Sequence, residues 1–360
     1  MASSDLEHAL SALALGGGDD DNETLLQDAV RRSVLSGDAA LLLTTLATHG
    51  AAEDQAAPLV FLMNWFHAWQ QEYEAFEQVL EAEEAENEAG ISDDDGIKLS
   101  SIEKELEELE AEAAEMLRGF NTVAVALLEK TGVERPDALV DRHGWTLLMQ
   151  AANTGMRGLL DELLARKADA NCTGATRDGV NPLYLAVSSD HTSEAMALLK
   201  NGAIASATKV VRTRKETPVP EDAEADDADD ADAEMDEDCA WLQACRLGQL
   251  SVIEEMIALG VDVNFALPAS GDRALHAAVM FEMQDVVEIL AAHDAIELNA
   301  KNRSGQTCLF GCSNKELVEF LVSRGVDPQT KDADGETAYS IAHELGDEDV
   351  ATFLKPLTAV

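Results

Sequence analysis

Aromatic residues make up only 4% of this 360-residue chain. Alanine and leucine carry most of its 46% apolar content, a balance suited to helices packed closely by small side chains and ill suited to sheets built from branched and aromatic ones. An all-α fold is therefore expected. Positive charge is scarce as well: 25 Lys and Arg stand against 70 Asp and Glu, a formal net charge of −45. That excludes a nucleic-acid backbone or an anionic membrane as a general partner, because like charges repel at long range, and it leaves basic proteins open. The five cysteines, Cys172, Cys239, Cys245, Cys308 and Cys312, are odd in number and form no C-x-x-C pair, so neither a disulfide framework nor a zinc site is indicated. No run approaches the roughly 18 apolar residues of a membrane span. The N-terminus carries Asp5 and Glu7 where a signal peptide would be basic. Reduced thiols in the cytoplasm, the nucleus or both fit best. H-E-x-x-H, G-x-x-x-x-G-K-[ST] and G-x-S-x-G are all lacking, so no enzyme activity, cofactor or metal is expected.

In place of such motifs the chain has a repeated unit. Asp141 to Cys172, DRHGWTLLMQAANTGMRGLLDELLARKADANC, reads as a turn at Asp141–Gly144, a short helix from Thr146 to Thr154, a tight turn at Gly155, a second helix to Arg166 and a hairpin loop through Ala168–Asn171. One such unit cannot bury its own apolar face, so copies must stack. A second copy runs from Thr176, with Asp190 where the turn glycine is expected. A third resumes at Cys239 without its own turn and bends at Gly248, with Asp236, Glu237 and Asp238 favouring the positive end of its first helix. The remaining copies span Gly271–Asn299, Gly305–Pro328, which is shortened after Cys312, and Gly335–Leu354, with Pro356 expected to stop the last helix.

These units resemble the ankyrin repeat, D-x-x-G-x-T-P-L-H-x-A-A-x-x-G followed by a second helix and G-A-D-x-N. Residues 141–207 and 239–356 match well and 22–132 loosely, giving six recognisable units and two divergent N-terminal ones. The resemblance implies an ankyrin-repeat solenoid of helix-turn-helix repeats with short hairpin fingers.

One stretch departs from that pattern. Leu59, Leu62, Phe66, Trp69, Tyr73, Phe76 and Leu80 are spaced alternately by three and four residues, and Ile102, Leu106, Leu109, Ala113, Met116, Phe120, Val123 and Leu127 repeat the rhythm. Two heptad seams separated by the turn formers Gly90–Gly96 predict a projecting antiparallel helical hairpin over about 55–131. Residues 59–131 hold 19 acids against 4 bases, which makes the arm a negative rod. Residues 208–238 join a small basic cluster, Lys209, Arg212, Arg214 and Lys215, to EDAEADDADDADAEMDED, with 12 acids in 18 residues; this reads as a disordered acidic insertion. The expected layout is a disordered leader at 1–21, divergent units with the hairpin at 22–132, repeats at 133–207, the insertion at 208–238, repeats at 239–356 and a tail at 357–360.

In ankyrin proteins the fingertips and the exposed face of the first helices form a concave groove that binds proteins. The resemblance carries that role to Arg142, His143 and Trp145 at one fingertip and Asn153 on the helix behind it, to Arg177 and Ser188 in the next repeat, and to Met280, Phe281 and Arg303 further on. Trp145 reads as an exposed anchor, or else as a ring packed on a neighbouring finger; Met280 and Phe281 face the groove or fill space left by an imperfect repeat. His276 holds the consensus histidine position and should bond backbone of the next unit. Cys308 and Cys312 lie one turn apart on packed positions and read as core thiols. The expected function is a non-enzymatic scaffold or adaptor that binds a partner protein through the groove, the acidic arm, or both. The alternative is a chaperone-like shield for a highly basic client such as a histone or ribosomal protein, neutralised by the arm and the insertion; independently of that choice, residues 221–238 read as either a reversible cover over the arginine fingertips or a solubilising loop.

Overall fold

The computed structural model of the protein describes residues 30–48, 57–89, 96–133, 136–176, 178–213 and 234–358. The leader expected at 1–21, Arg177 and the central part of the acidic insertion lie outside the described residues. The chain divides into two compact units, one ending at Asp169 and the other beginning at Ala170.

In the first unit, helical residues 30–36 precede α1 (Ala39–Thr48), α2 (Ala57–Ala89) and α3 (Gly96–Thr131). Seam residues Leu59, Leu62, Phe66 and Trp69 of α2 are buried, as are Leu109, Ala113, Met116, Phe120, Val123 and Leu127 of α3. The two helices meet where the heptads place them, with the Phe66 and Phe120 rings 3.9 Å apart between centroids. Burial is wider than a two-residue seam at this level, because Met63, Trp65 and Ala68 are buried too. Helix 30–36 crosses α3 closely at Gly119, where a Cβ would stand 2.0 Å from the Val34 carbonyl oxygen; only a hydrogen fits there. After a 3-10 turn at Pro136–Ala138 come α4 (Leu147–Asn153) and α5 (Arg157–Ala165). Thr146 starts α4 by accepting the Met149 N–H, which satisfies one of the free donors at a helix start. α4 is buried from Leu147 to Ala152, whereas α5 buries one stripe, Leu159, Leu160, Leu163 and Leu164. α5 is tied to α3 by Arg166, whose guanidinium donates to the Leu128 carbonyl at 3.1 Å.

The second unit contains α6 (Pro182–Ser188), α7 (Thr192–Lys200), strands β1 (Thr208–Thr213) and β2 (Glu234–Cys239), α8 (Ala240–Leu247), α9 (Leu250–Ala258), α10 (Ala274–Met280), α11 (Gln284–Ala292), a 3-10 turn at Cys308–Gly311, α12 (Lys315–Ser323), α13 (Ala338–Leu345) and α14 (Glu348–Thr358). The first elements of successive repeats pack side by side in the order α6, α8, α10, the 3-10 turn, α13, and their contacts are kept close by buried Ala186, Ala244, Ala277, Ala278 and Ala342. A second set of bonds repeats along the loops. Asn264 donates to the Ala295 carbonyl at 2.7 Å and accepts the Glu297 N–H at 2.9 Å; Asn299 does the same to Gly325 and Asp327, and Asn171 to Gly202 and Ile204. The asparagine of G-A-D-x-N is thus a clasp onto the following loop.

Three expectations are corrected here. The insertion, expected to be disordered, is ordered at both ends and adds one two-stranded ribbon to the helical repeats: β1 and β2 pair antiparallel with Thr208 opposite Cys239 and Thr213 opposite Glu234. β-branched Thr208, Val210, Val211 and Thr213 favour extended backbone, and Lys209 stands opposite Asp238, a favourable cross-strand pair. The third repeat therefore does have its finger, in lengthened form. Pro356 does not stop the last helix, which continues to Thr358 with the Thr358 hydroxyl bonded to the Leu354 carbonyl; the proline forgoes the bond its missing N–H would have donated and crowds the carbonyl one turn earlier, a disturbance confined to the end of the helix. Finally, the first helix of the shortened repeat is reduced to the single turn Cys308–Gly311.

Candidate functional site

The fingertip of the first clear repeat is built around Asp141. Its buried carboxylate accepts the N–H groups of His143 and Trp145, each at 2.8 Å, and the Gln150 side-chain amide at 2.9 Å, which fixes the turn. The opposite wall comes from α2. Asn64 accepts the Arg142 N–H at 2.8 Å, the Met63 carbonyl accepts from Gln150 at 3.3 Å, and His67 stacks on His143 at 4.1 Å between centroids and meets Trp145 edge-on at 5.6 Å. Trp145 is consequently half-buried, closer to the packed ring than to the exposed anchor of the two readings the sequence allowed, with a long helix one repeat away, rather than a neighbouring finger, reaching over it. Arg142 and His143 stay exposed and are bonded to each other at 3.0 Å. Burial and the neighbouring His143 push the His67 imidazole below its usual pKa, with Asp141 opposing the drop and Arg142 adding to it. Asn153 is half-buried at the end of α4.

Ser188, Met280, Phe281 and Arg303 belong to the second unit. Ser188 is exposed at the end of α6. Arg303 is exposed on a finger whose backbone lies tight against the preceding one: its N–H bonds the Ser270 carbonyl at 2.9 Å, and a Cβ on Gly271 would meet the Arg303 nitrogen at 2.8 Å. Met280 and Phe281 end α10 with 61% and 48% of their surface exposed. They border the repeat whose first element is the single turn Cys308–Gly311. Two further apolar residues, not singled out from the sequence, hold the corresponding place: Leu247 before Gly248 and Leu345 before Gly346, exposed by 44% and 73%. Aligning the repeats on their left-handed turns, rather than on the T-P-L-H segment, exposes this pattern.

A polar cluster holds the base of the β-ribbon. Asp238 accepts from Tyr184 at 3.1 Å and from Arg246 at 2.7 Å, while the Lys209 ammonium sits 3.6 Å above the Tyr184 ring. Burial and the adjacent Asp238 raise the Tyr184 phenol to about 12, so it remains a hydrogen-bond donor. Glu237 reaches the next finger through the Ala269 N–H at 2.9 Å. His276 bonds the Gln306 carbonyl at 3.1 Å, the link expected of the consensus histidine, and burial lowers its pKa. Cys308 and Cys312 are buried, and burial raises their thiols to about 12 and about 11, which suits packing rather than ligation. Among the described residues no group of three or more His, Cys, Asp or Glu is placed to hold a metal ion, and no helix is long and apolar enough to cross a membrane.

Comparison with known proteins gives a consistent result. The family model described as Ankyrin repeats (3 copies) matches residues 112–218 and 241–332. The chain is 30% identical over 122 residues to the ankyrin repeat and KH domain-containing protein mask-1 of Caenorhabditis elegans, an alignment covering 33% of this chain and 5% of that protein. It is 28% identical over 115 residues to ankyrin repeat and SOCS box protein 6 of Mus musculus, covering 31% of this chain and 27% of that one. The aligned segments are thus under a third of these relatives' own lengths. Among solved structures, the human ASB11 ankyrin repeat domain superimposes with a TM-score of 0.51 at 20% identity, covering 68% of this chain and 96% of that one, a likeness of fold.

Proposed function

Because the chain belongs to the ankyrin-repeat family, whose repeats serve as protein–protein interaction modules, we propose that it is a non-enzymatic scaffold or adaptor of the cytoplasm or nucleus that binds a partner protein through the first-helix ends of its second unit. The observation that carries this reading is the exposure of Met280 and Phe281, 61% and 48%, side by side at the end of α10. Large flexible and aromatic side chains of this kind anchor interfaces when they enter a partner's pocket. The test places a photo-crosslinking residue at Ser313, beside Glu282, and captures partners from cell extract with and without Met280→Ser and Phe281→Ser. A defined partner lost on substitution, with circular dichroism unchanged, is expected. An unchanged set of crosslinked proteins would overturn the reading.

The concentration of acid favours a second reading, a shield for a highly basic client. Residues 59–131 carry 19 acids against 4 bases, and 221–238 carry 12 acids in 18 residues. Ionic strength separates the two: a charge-driven client dissociates steeply as salt rises, whereas an apolar anchor is far less sensitive.

A further inference from the structure

Leu247, Phe281 and Leu345 each stand immediately before a left-handed turn residue, Gly248 (φ 68°), Glu282 (φ 56°) and Gly346 (φ 84°). They therefore occupy one structural position in three repeats, and all three are exposed. The corresponding residues in the two preceding repeats are polar, Thr154 and Ser189. Between α10 and α13 the repeat lacks this position altogether, and Gly311 presents no side chain; a Cβ added there would come within 3.8 Å of the Met280 terminal carbon. The result is a row of apolar steps with a notch in its third place.

We propose that this row docks an amphipathic helix with apolar side chains every seventh residue and basic flanks. Packed helices lie about 8–10 Å apart, and two turns of a helix rise about 10.5 Å, so residues i, i+7 and i+21 of the ligand meet Leu247, Phe281 and Leu345 while i+14 enters the notch beside Met280 and Gly311. The charge of the ligand follows from its surroundings. Residues 240–360 hold 19 acids and 8 bases. Glu282 and Glu344, both exposed, adjoin the steps, and Arg246 and Arg273 are already paired with Asp238 and Glu297 at 2.7 and 2.6 Å. A second copy of so acidic a chain is repelled from the row, whereas lysine or arginine flanks are attracted. This docking mode rests on the binding role proposed above for Met280 and Phe281.

The test titrates the full-length protein with a fluorescent 24-residue helical peptide carrying leucine at every seventh position, phenylalanine at the third of these, and lysine flanks. Binding is expected to weaken at least tenfold with Phe281→Ser, with Leu345→Ser, and with Gly311→Leu. The last variant adds apolar surface but fills the notch, so a merely sticky patch would bind the peptide more tightly. A glutamate-flanked peptide is expected not to bind. The proposal is overturned if the serine variants bind like wild type, since charge elsewhere on the chain would then account for the affinity, or if Gly311→Leu strengthens binding. Should the peptide fail while Met280→Ser and Phe281→Ser still abolish partner crosslinking, the ligand class is wrong and the scaffold function stands.

Discussion

The first unit buries two Phe rings and two Trp rings between helices of 33 and 36 residues, while the repeats of the second unit seldom exceed nine residues per helix and pack mainly through alanine, leucine and valine. Both start from the same helix-turn-helix plan. In one, cohesion comes from the length of a single pair of helices and a side-chain seam along it; in the other it comes from neighbours, through stacked short helices and asparagine clasps that reach the following loop. A perturbation in the first should spread along a helix, and a perturbation in the second should stop at the adjacent repeat.

The largest effect that would sharpen this contrast is expected from Gly119→Ala. Its methyl would stand 2.0 Å from the Val34 carbonyl, so helix 30–36 must leave α3, at about 3 kcal/mol or more. Chemical denaturation monitored by tryptophan fluorescence should show the loss, with Trp65 and Trp69 reporting from the seam. A wild-type midpoint would mean that helix 30–36 is not part of the core.

A smaller, local effect is expected from Asn264→Ala. Two hydrogen bonds to the following loop disappear, worth about 1–2 kcal/mol together. Hydrogen exchange should rise around residues 295–297 and remain unchanged around Asn171. Uniform loosening of the whole second unit would show that the repeats are more strongly coupled than nearest neighbours require.

The smallest effect concerns pH and touches both units. His67 and His276 have folded pKa values below their ordinary 6.5, in each case chiefly because burial disfavours the charged ring. The unfolded chain takes up these protons near pH 6.5 while the folded chain still resists. Stability contributed by the neutral rings is therefore whole above that pH and declines as pH falls below it. His67→Gln should flatten the pH dependence of the first unit's unfolding, and His276→Gln that of the second. If acidification from pH 7.5 to 6 raised both midpoints, the sign would be wrong.

Much of this architecture was legible in the residues. Heptad spacing located the α2–α3 seam because a 3.5-residue repeat admits one buried face. Asp190 was recognised as a substitute for the turn glycine, and its φ of 57° is a conformation that aspartate tolerates better than most residues. Other features escaped. The acidic composition of residues 208–238 hid a paired ribbon, because the pairing depends on which strand faces which and not on composition. Whether Trp145 is an exposed anchor or a packed ring cannot be read from its own repeat, because the His67 ring that meets it lies 78 residues away in sequence.

By itself, then, the sequence determined the helix-turn-helix unit, its repetition, the long seam and the acidity, since each is written in local periodicity or in simple sums of charge. Tertiary structure decided which exposed residues are available to a partner. Trp145 is half covered because α2 extends over the finger, and Phe281, like Leu247 and Leu345, is open at a helix end that no neighbouring repeat covers. Both outcomes depend on what stands beside a residue in space, and stacking brings together side chains that the chain order keeps about thirty residues or more apart.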